Sequence, residues 1–170
     1  SFNWPVPVTQ VSGSDYTVKI TSTASDAFND SSNSPFTIIG TGITVTSPNG
    51  GENWQAGSAQ TITWTYTGNP GTNVKIEVYR AGVLNGTVAA STLIGSGGNG
   101  SYIWPIPTSQ ASGGGFTVKV TSITNSAYSD VSNNPFTIAP YPVITVTSPD
   151  GGENWQAGAT QTISWTYVGD

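Results

Sequence analysis

The chain has 170 residues, a net charge of −5 from 4 basic and 9 acidic side chains, and no Cys, His or Met. Without thiols and imidazoles it has no cysteine nucleophile, disulfide or histidine base, and it lacks the ligands of most transition-metal sites. Four cations leave no basic footprint for nucleic acid and no polybasic patch for a membrane surface.

The remaining composition predicts an all-β protein that works outside the cytosol. The chain contains 21 Ser, 25 Thr, 21 Gly and 11 Pro, whereas strong helix formers such as Ala, Leu, Glu and Lys are scarce. Six Trp, seven Tyr and five Phe supply enough apolar area for a packed core.

An internal repeat organises the chain. Residues 1–38 align with 101–138 at an offset of 100, with 20 of 38 positions identical. Residues 43–69 align with 144–170 at an offset of 101, with 21 of 27 identical. The repeating unit is therefore about 100 residues long.

The phase of the repeat predicts three domains or parts of domains. We expect residues 1–38 to be the C-terminal part of one sandwich, 43–139 a complete sandwich and 144–170 the N-terminal part of the next. Counterparts of 70–100 are absent from both partial repeats. We expect the partial repeats to be completed, either by a continuing chain or by strands donated from a neighbour, because half a sandwich exposes unpaired edges.

Alternating apolar residues predict short strands along the complete repeat. The first four are expected at 43–46, 61–67, 74–79 and 88–94, with Asn85-Gly86 as a type I′ hairpin turn before the fourth. Three more are expected around Tyr102–Ile106, Phe116–Val120 and Phe136–Ile138.

Seven short strands with turns every 8–12 residues are typical of an immunoglobulin-like or fibronectin III-like sandwich. Trp64 and Trp104 have the inward phase and are expected to fill the space between the sheets. The linkers, 39–42 and 139–143, are too short for independent tumbling of neighbouring repeats. The tandem repeats therefore predict an extended rod.

The order of motifs resembles the Kre9/Knh1-like domain, an immunoglobulin-like repeat of the Ser/Thr-rich GPI-anchored membrane family. The segments that carry the resemblance are, in order, SPNGGENWQAG, TITW, VKIEVYR, SYIWPIP, FTVKVTS and PFTI. The resemblance covers the complete repeat and both partial ones. It implies a β-sandwich and an extracellular or cell-surface location. The fungal members are linked to β-glucan assembly, and the resemblance implies no catalytic residues.

Carboxylates are the only ordinary acid–base groups in the chain, and they are scattered over turns and outward strand positions. A glycosidase would need two of them in one cleft. We therefore predict neither an enzyme nor a cofactor. Asp26, Asn29 and Asp30, and the 150–154 turn, could hold calcium. Asp26 is replaced by Ser126 in the other copy, so turn formation is the better explanation.

Two tryptophans lie next to a turn in the GGENWQAG segments, namely Trp54 and Trp155. Either one could close the open end of its own sandwich, make a contact between repeats or between chains, or stack on a sugar ring.

Three N-x-S/T sequons, at Asn29, Asn85 and Asn99, are candidate N-glycosylation sites. The two Asn-Gly pairs among them are expected in exposed turns. A ladder of Thr at 61, 63, 65 and 67 could bind ice or sugar, although Thr also simply suits an exposed strand face.

These observations predict a structural extracellular repeat protein that forms part of a filament, stalk or surface layer. The expected partners are copies of itself or adjacent repeats, with glycans as further candidates, and no membrane insertion is expected in 1–170. The alternative is an adhesin or carbohydrate-binding surface module.

Overall fold

A computed structural model describes residues 1–7 and 9–169, and every regular element within those ranges is a β-strand. The strands are β1 Gly13–Tyr16, β2 Lys19–Thr21, β3 Asn29–Ser31, β4 Phe36–Ile38, β5 Gly42–Ser47, β6 Asn53–Gln55, β7 Ala59–Thr67, β8 Asn73–Arg80, β9 Val83–Leu93, β10 Asn99–Pro105, β11 Gly113–Ser122, β12 Ser129–Val131, β13 Phe136–Ala139, β14 Val143–Ser148 and β15 Ser164–Val168. No helix in those ranges is long and apolar enough to cross a membrane.

Residues 43–139 fold into two sheets. The first sheet has the order β10-β7-β5, and the second has the order β6-β13-β11-β8-β9, with β12 also paired to β11. Neighbouring strands are antiparallel except β6 and β13, which run parallel. The second sheet therefore joins strands from the beginning and the end of the repeat.

The core lies between the two sheets, on the faces that the alternation predicts. Along β7, Ile62 and Trp64 are fully buried while Thr61 and Thr65 are exposed. The buried apolar set from the other strands includes Val45, Trp54, Val74, Ile76, Val78, Trp104, Phe116, Val118, Val120, Phe136 and Ile138. Period-two patterning thus places one continuous core between the sheets.

The hairpin between β8 and β9 turns four residues earlier than predicted. The turn residues are Ala81 and Gly82, which have φ values of 48° and 79°. Asn85-Gly86 instead lies within β9, where Gly86 pairs with Val78. The Asn-Gly signal was outweighed because β8 continues to Arg80, so its pairing requires the left-handed turn at 81–82.

Two strands of the complete repeat carry no alternation that sequence reasoning could detect. β6 and β12 have three residues each. β6 is a strand through its pairing with β13, which is distant in sequence, and β12 through its pairing with β11 across a turn. The repeat therefore contains nine strands rather than the seven predicted.

The segments on either side fold only into hairpin-like pairs. In 1–38, β1 pairs with β4 and β2 pairs with β3. In 144–170, β15 pairs with β14, which begins at Val143. Residues 1–38 therefore carry two separate two-stranded sheets and the described part of 144–170 carries one, each with unpaired edges.

Both linkers contact the complete repeat. The Thr67 hydroxyl donates a 2.8 Å hydrogen bond to the Gly40 carbonyl. The ring of Tyr141 lies so close to Gly57 that a Cβ there would come within 2.5 Å of it. Each linker therefore has a side-chain contact that ties it to the complete repeat.

Candidate functional site

The inner face of 144–170 is exposed although its sequence repeats a buried one. Val45, Trp54 and Trp64 in the complete repeat are 1%, 7% and 1% exposed, respectively. Their counterparts Val146, Trp155 and Trp165 are 50%, 44% and 59% exposed. The difference arises because 144–170 has no second sheet packed against it. Exposed apolar side chains on one face of a small sheet mark an interaction surface.

Residues 1–38 also expose apolar side chains whose counterparts in 43–139 are buried. Trp4 is 44% exposed, whereas its counterpart Trp104 is 5% exposed. Trp4 lines an apolar cleft of about 740 Å³ together with Phe2, Val18 and Ile20. We call the exposed apolar face of 1–38 the N-terminal face and that of 144–170 the C-terminal face.

The C-terminal face also contains a cleft. It has a volume of about 520 Å³ and is lined by Pro142, Val143, Ile144, Trp165, Tyr167, Val168 and Gly169. Its lining carries no ionisable group except the Tyr167 phenol. Both end segments therefore present concave apolar surfaces of a kind that another protein surface fills.

The two tryptophans of the GGENWQAG segments are in different environments. Trp54 lies inside its own sandwich, with ring centroids 4.9 Å from Phe136 and 6.2 Å from Trp104. In this structure it closes the end of its own sandwich and is not available to a neighbouring repeat or chain. Trp155 is exposed and remains a candidate for a contact between repeats or chains.

The turn that precedes each of these tryptophans is the same in both repeats. The carboxylate of Glu52 accepts 2.8 Å hydrogen bonds from the N–H groups of Asn49 and Gly50. Glu153 accepts 2.8 Å bonds from Asp150 and Gly151 in the same way.

These turn bonds explain the acidity of both carboxyl groups. Burial raises the pKa of Glu52, but bonds from the backbone N–H groups of Asn49, Glu52 and Gly50 outweigh it, so the pKa lies below its ordinary value of 4.5. The N–H groups of Asp150, Glu153 and Gly151 lower the pKa of Glu153. Both glutamates therefore hold a turn as carboxylates.

Two polar contacts connect the beginning of the complete repeat to its end. Asp130 accepts a 2.8 Å hydrogen bond from the Val45 N–H, and Asn49 Oδ1 accepts a 2.6 Å bond from the Asn133 N–H. The counterpart of Asp130 is Asp30, which lies in 1–38 without a counterpart of β5 beside it. Sequence reasoning missed these contacts because 84 or more residues separate the partners.

Within residues 1–7 and 9–169, no three His, Cys, Asp or Glu side chains are grouped as a metal site. Two of the calcium candidates bond within turns: the Asn29 amide donates a 2.7 Å bond to the Asp26 carbonyl, and the Glu153 carboxylate accepts bonds from the 150–151 backbone. These bonds agree with the turn interpretation of both segments.

The three sequon asparagines are all exposed. Asn29 lies in β3, Asn85 in β9 and Asn99 at the start of β10. The expectation of Asn-Gly turns was wrong for Asn85 and Asn99, because both lie in strands. Asn99 pairs with Thr65, whereas Asn85 lies at an irregularity of β9 between Leu84, which pairs with Tyr79, and Gly86, which pairs with Val78. Asn85 Oδ1 also accepts a 2.8 Å bond from the Gln110 amide.

The Thr face of β7 borders a hydroxyl-rich surface groove of about 750 Å³. Its lining residues include Thr46, Thr63, Thr65, Thr92, Leu93, Ser96, Asn99 and Ser101. The Thr46 and Thr63 hydroxyls lie 2.7 Å apart across neighbouring strands. The groove has polar hydroxyls and one exposed leucine but no exposed aromatic ring in its lining.

Comparison with known proteins identifies a family. The model of the Kre9/KNH-like N-terminal Ig-like domain matches residues 47–138. No curated protein matches the sequence.

Solved structures show distant likenesses. The fibronectin(III)-like modules of CbhA from Clostridium thermocellum are 19% identical over 74% of this chain and 62% of theirs, with a TM-score of 0.31. The titin domains Z1Z2, solved in complex with telethonin, are 19% identical over 62% of this chain and 52% of theirs, with a TM-score of 0.35. A chimeric titin Z1Z2-Z1Z2 tandem carrying a GRGDS peptide is 20% identical over 72% and 62%, with a TM-score of 0.33. This chain spans about three fifths of the length of the first of these structures.

Proposed function

Since the chain belongs to the Kre9/KNH-like family of immunoglobulin-like domains, we propose that it is a non-catalytic segment of an extracellular filament, stalk or surface layer. In this proposal tandem sandwiches of about 100 residues follow one another, with residues 43–139 as one complete unit. The expected partners are adjacent repeats or further copies of the chain.

The observation that carries the proposal is that the core-forming residues of the complete repeat recur in the segments on either side of it. Many residues of the 43–139 core have counterparts in 1–38 and 144–170, and several of these are exposed, among them Trp4, Val146, Trp155 and Trp165. A core-forming sequence repeated in fixed order is typical of a one-dimensional array in which each unit contacts its neighbours.

The contacts of the two linkers support a restrained rather than a mobile arrangement of neighbouring units. The Gly40 carbonyl is bonded by Thr67, and Tyr141 packs on Gly57. A linker held against one unit in this way restricts the orientation of the segment beyond it, whereas a flexible linker would not.

Electron microscopy of the native material, without recombinant trimming or refolding, tests the proposal. We expect ordered filaments or rods with an axial repeat of one or two sandwich lengths. Monomeric particles with no axial repeat would overturn it. The mass of the native chain after removal of N-glycans distinguishes covalent continuation, which gives a mass above 17.5 kDa, from assembly of separate copies.

A carbohydrate-binding surface module or adhesin is the second candidate, and the hydroxyl-rich groove beside β7 favours it. A glycan array with the Thr63→Val and Thr65→Val variants tests it, with Thr137→Val on an exposed strand outside the groove as the control. Binding that both groove variants abolish, with the fold and the control intact, would establish this second function.

N-glycosylation bears on the same groove because Asn99 lies in its lining. A glycan on Asn99 would cover the groove and exclude a ligand from it. Mass measurement of the native chain before and after enzymatic removal of N-glycans tests for glycans on the three sequons. Asn99→Gln is the variant that assigns one to the groove, with Asn85→Gln and Asn29→Gln as matched controls outside it.

A further inference from the structure

We propose that the C-terminal face of one copy and the N-terminal face of a second copy form one composite sandwich, in the register of the complete repeat. The proposal rests on the proposed structural function and names the partner as a second copy of this chain. Residues 43–139 are the template, because they contain in one unit both of the sequence segments that the two faces carry separately.

The aromatic contacts of the template give the first reason. Trp54 packs against Trp104 and Phe136. The corresponding residues are Trp155 on the C-terminal face and Trp4 and Phe36 in 1–38, and all three keep their identity. Trp155 and Trp4 are each 44% exposed, so each lacks the partner that the other segment carries.

The polar contacts of the template give the second reason. Thr137 N–H donates to the Glu52 carbonyl at 2.9 Å, and Val45 N–H donates to the Asp130 carboxylate at 2.8 Å. The counterparts are Thr37 with Glu153 and Val146 with Asp30, again without a change of residue type. A composite in this register therefore satisfies the backbone groups at the edge where the two segments meet.

The strand inventory gives the third reason. The C-terminal segment carries the counterparts of β5, β6 and β7, and 1–38 carries those of β11, β12 and β13 and of five of the seven residues of β10. Seven of the nine strands of a complete repeat are then present, and the first sheet has all three of its strands. The missing pair, β8 and β9, lies at one end of the second sheet, so its loss leaves an open edge rather than a gap.

The charges of the two segments oppose their association. Residues 1–38 carry Asp15, Asp26 and Asp30 against Lys19, which gives 1 − 3 = −2. Residues 144–170 carry Asp150, Glu153 and Asp170, which gives −3. Salt screens this repulsion and strengthens apolar burial, so association should increase with ionic strength.

The geometry of the contact determines the kind of assembly. The two faces are different surfaces of one chain, so the contact is heterologous and each copy has one of each. Copies joined in this way add head to tail, and the assembly lengthens with protein concentration.

Disulfide trapping tests the register, because the chain has no native Cys. Thr137 and Asn53 are paired across β13 and β6, so their counterparts Thr37 and Asn154 should face each other in the composite. Paired residues on adjacent strands lie within the Cα separation that a disulfide spans. We would mix a Thr37→Cys chain with a distinguishable Asn154→Cys chain and oxidise them gently at low and high salt.

Two matched controls accompany this mixture. The double variant Asn53→Cys/Thr137→Cys should form a disulfide within one chain and so verify the template pair. A Thr21→Cys chain mixed with the Asn154→Cys chain should not react selectively. Thr21 corresponds to Thr121, which lies on β11 eight residues from Gly113, the position that pairs with Ile138 at the β13 end of the contact. The two cysteines would therefore be far apart in the composite. Far-ultraviolet circular dichroism of each variant verifies that the complete repeat is folded.

The expected result is a mixed disulfide between Thr37→Cys and Asn154→Cys that forms at least tenfold faster than the Thr21→Cys product and is enhanced by salt. Equal rates for both mixtures, or no mixed disulfide while the internal control closes, would overturn the composite. Failure of the internal control would overturn the template register. Filaments seen in native material with no mixed disulfide would leave the proposed function intact and reject only the completion by a second copy.

Discussion

Residues 43–69 and 144–170 are identical at 21 of 27 positions, yet they differ in structure. In the first segment β6 forms, β7 has nine residues and Trp64 is buried. In the second, the counterpart of β6 is not a strand, β15 has five residues and Trp165 is exposed. The lost parts are those whose partners, β13 and β10, have no counterpart beside them. Strand length in this fold is therefore determined by the partner strand and not by local sequence.

The N-terminal segment shows the same dependence. β11 is one strand of ten residues, whereas its counterpart is split into β1 and β2 with a break at 17–18. In the complete repeat β8 pairs continuously with 116–122, and no counterpart of β8 lies beside 1–38. The Glu-capped turns at 49–52 and 150–153, by contrast, are the same, since all their partners are within three residues.

The largest expected difference between the two regions is in the free energy of unfolding lost when Trp54 or its counterpart Trp155 is replaced. Trp54→Ala removes a buried ring that packs on Trp104 and Phe136, and should lower the free energy of unfolding of the complete repeat by about 3–5 kcal/mol. Trp155→Ala should change it by less than about 0.5 kcal/mol. Urea denaturation followed by circular dichroism measures both. Equal losses would mean that 144–170 is part of the same cooperative unit.

The next difference is at the aspartates. Asp130→Ala leaves the Val45 N–H without its carboxylate partner, and we expect a loss of about 1.5–3 kcal/mol in the free energy of unfolding. Asp30→Ala, its counterpart outside the complete repeat, should cost less than about 0.5 kcal/mol. Urea denaturation followed by circular dichroism compares the two variants. A loss for Asp30→Ala in the monomer as large as that for Asp130→Ala would contradict the prediction.

A smaller difference is expected at two serines that make the same bond in different surroundings. Ser132 is buried and accepts a 2.9 Å bond from the Val118 N–H, whereas Ser32 accepts a 3.2 Å bond from Val18 in an exposed setting. Ser132→Ala should lower the free energy of unfolding by about 1 kcal/mol, and Ser32→Ala should lower it by about a few tenths of a kcal/mol at most. Thermal unfolding of the two variants at one pH tests this, and the reverse order would be evidence against the burial argument.

The smallest effect is a pH dependence at the turns. Because the pKa of Glu52 is lowered in the folded state, its contribution is fully present above the ordinary value of 4.5 and is lost as the pH falls through the folded pKa. Glu52→Gln should remove under about 1 kcal/mol near neutral pH, since the group is partly exposed and solvent-screened. It should also flatten the decrease in stability below pH 4.5. Glu153→Gln should leave the curve of the complete repeat unchanged.

Much of the sandwich could be predicted from the sequence because burial follows alternation. Ile62 and Trp64 on β7, and Phe116, Val118 and Val120 on β11, are buried as their phase predicts. The parts that sequence reasoning missed depend on partners distant in the chain. β6 has three residues and is a strand only through its parallel contact with β13. The turn at 81–82 depends on where β8 ends rather than on the stronger Asn-Gly signal.

The candidate site could be predicted only in part, for the same reason. The repeat alignment indicates that Trp155 and Trp4 belong to core-forming segments. It does not distinguish Trp54, which is buried against Trp104 and Phe136, from Trp155, which is exposed, because the two have identical neighbours in sequence. Only the presence or absence of the opposing sheet separates them.

The parallel pairing of β6 with β13 has a mechanical consequence. The chain enters the complete repeat through β5 and β6 and leaves it through β13. The first linker joins β5, which pairs with β7, so tension reaches β6 through β5. Because β6 and β13 run in the same direction, that tension pulls these two strands past each other along their length. The backbone bonds between 53–55 and 137–139 are then loaded together in shear rather than opened one after another. A tandem array of such units would resist stretching at the contact between β6 and β13.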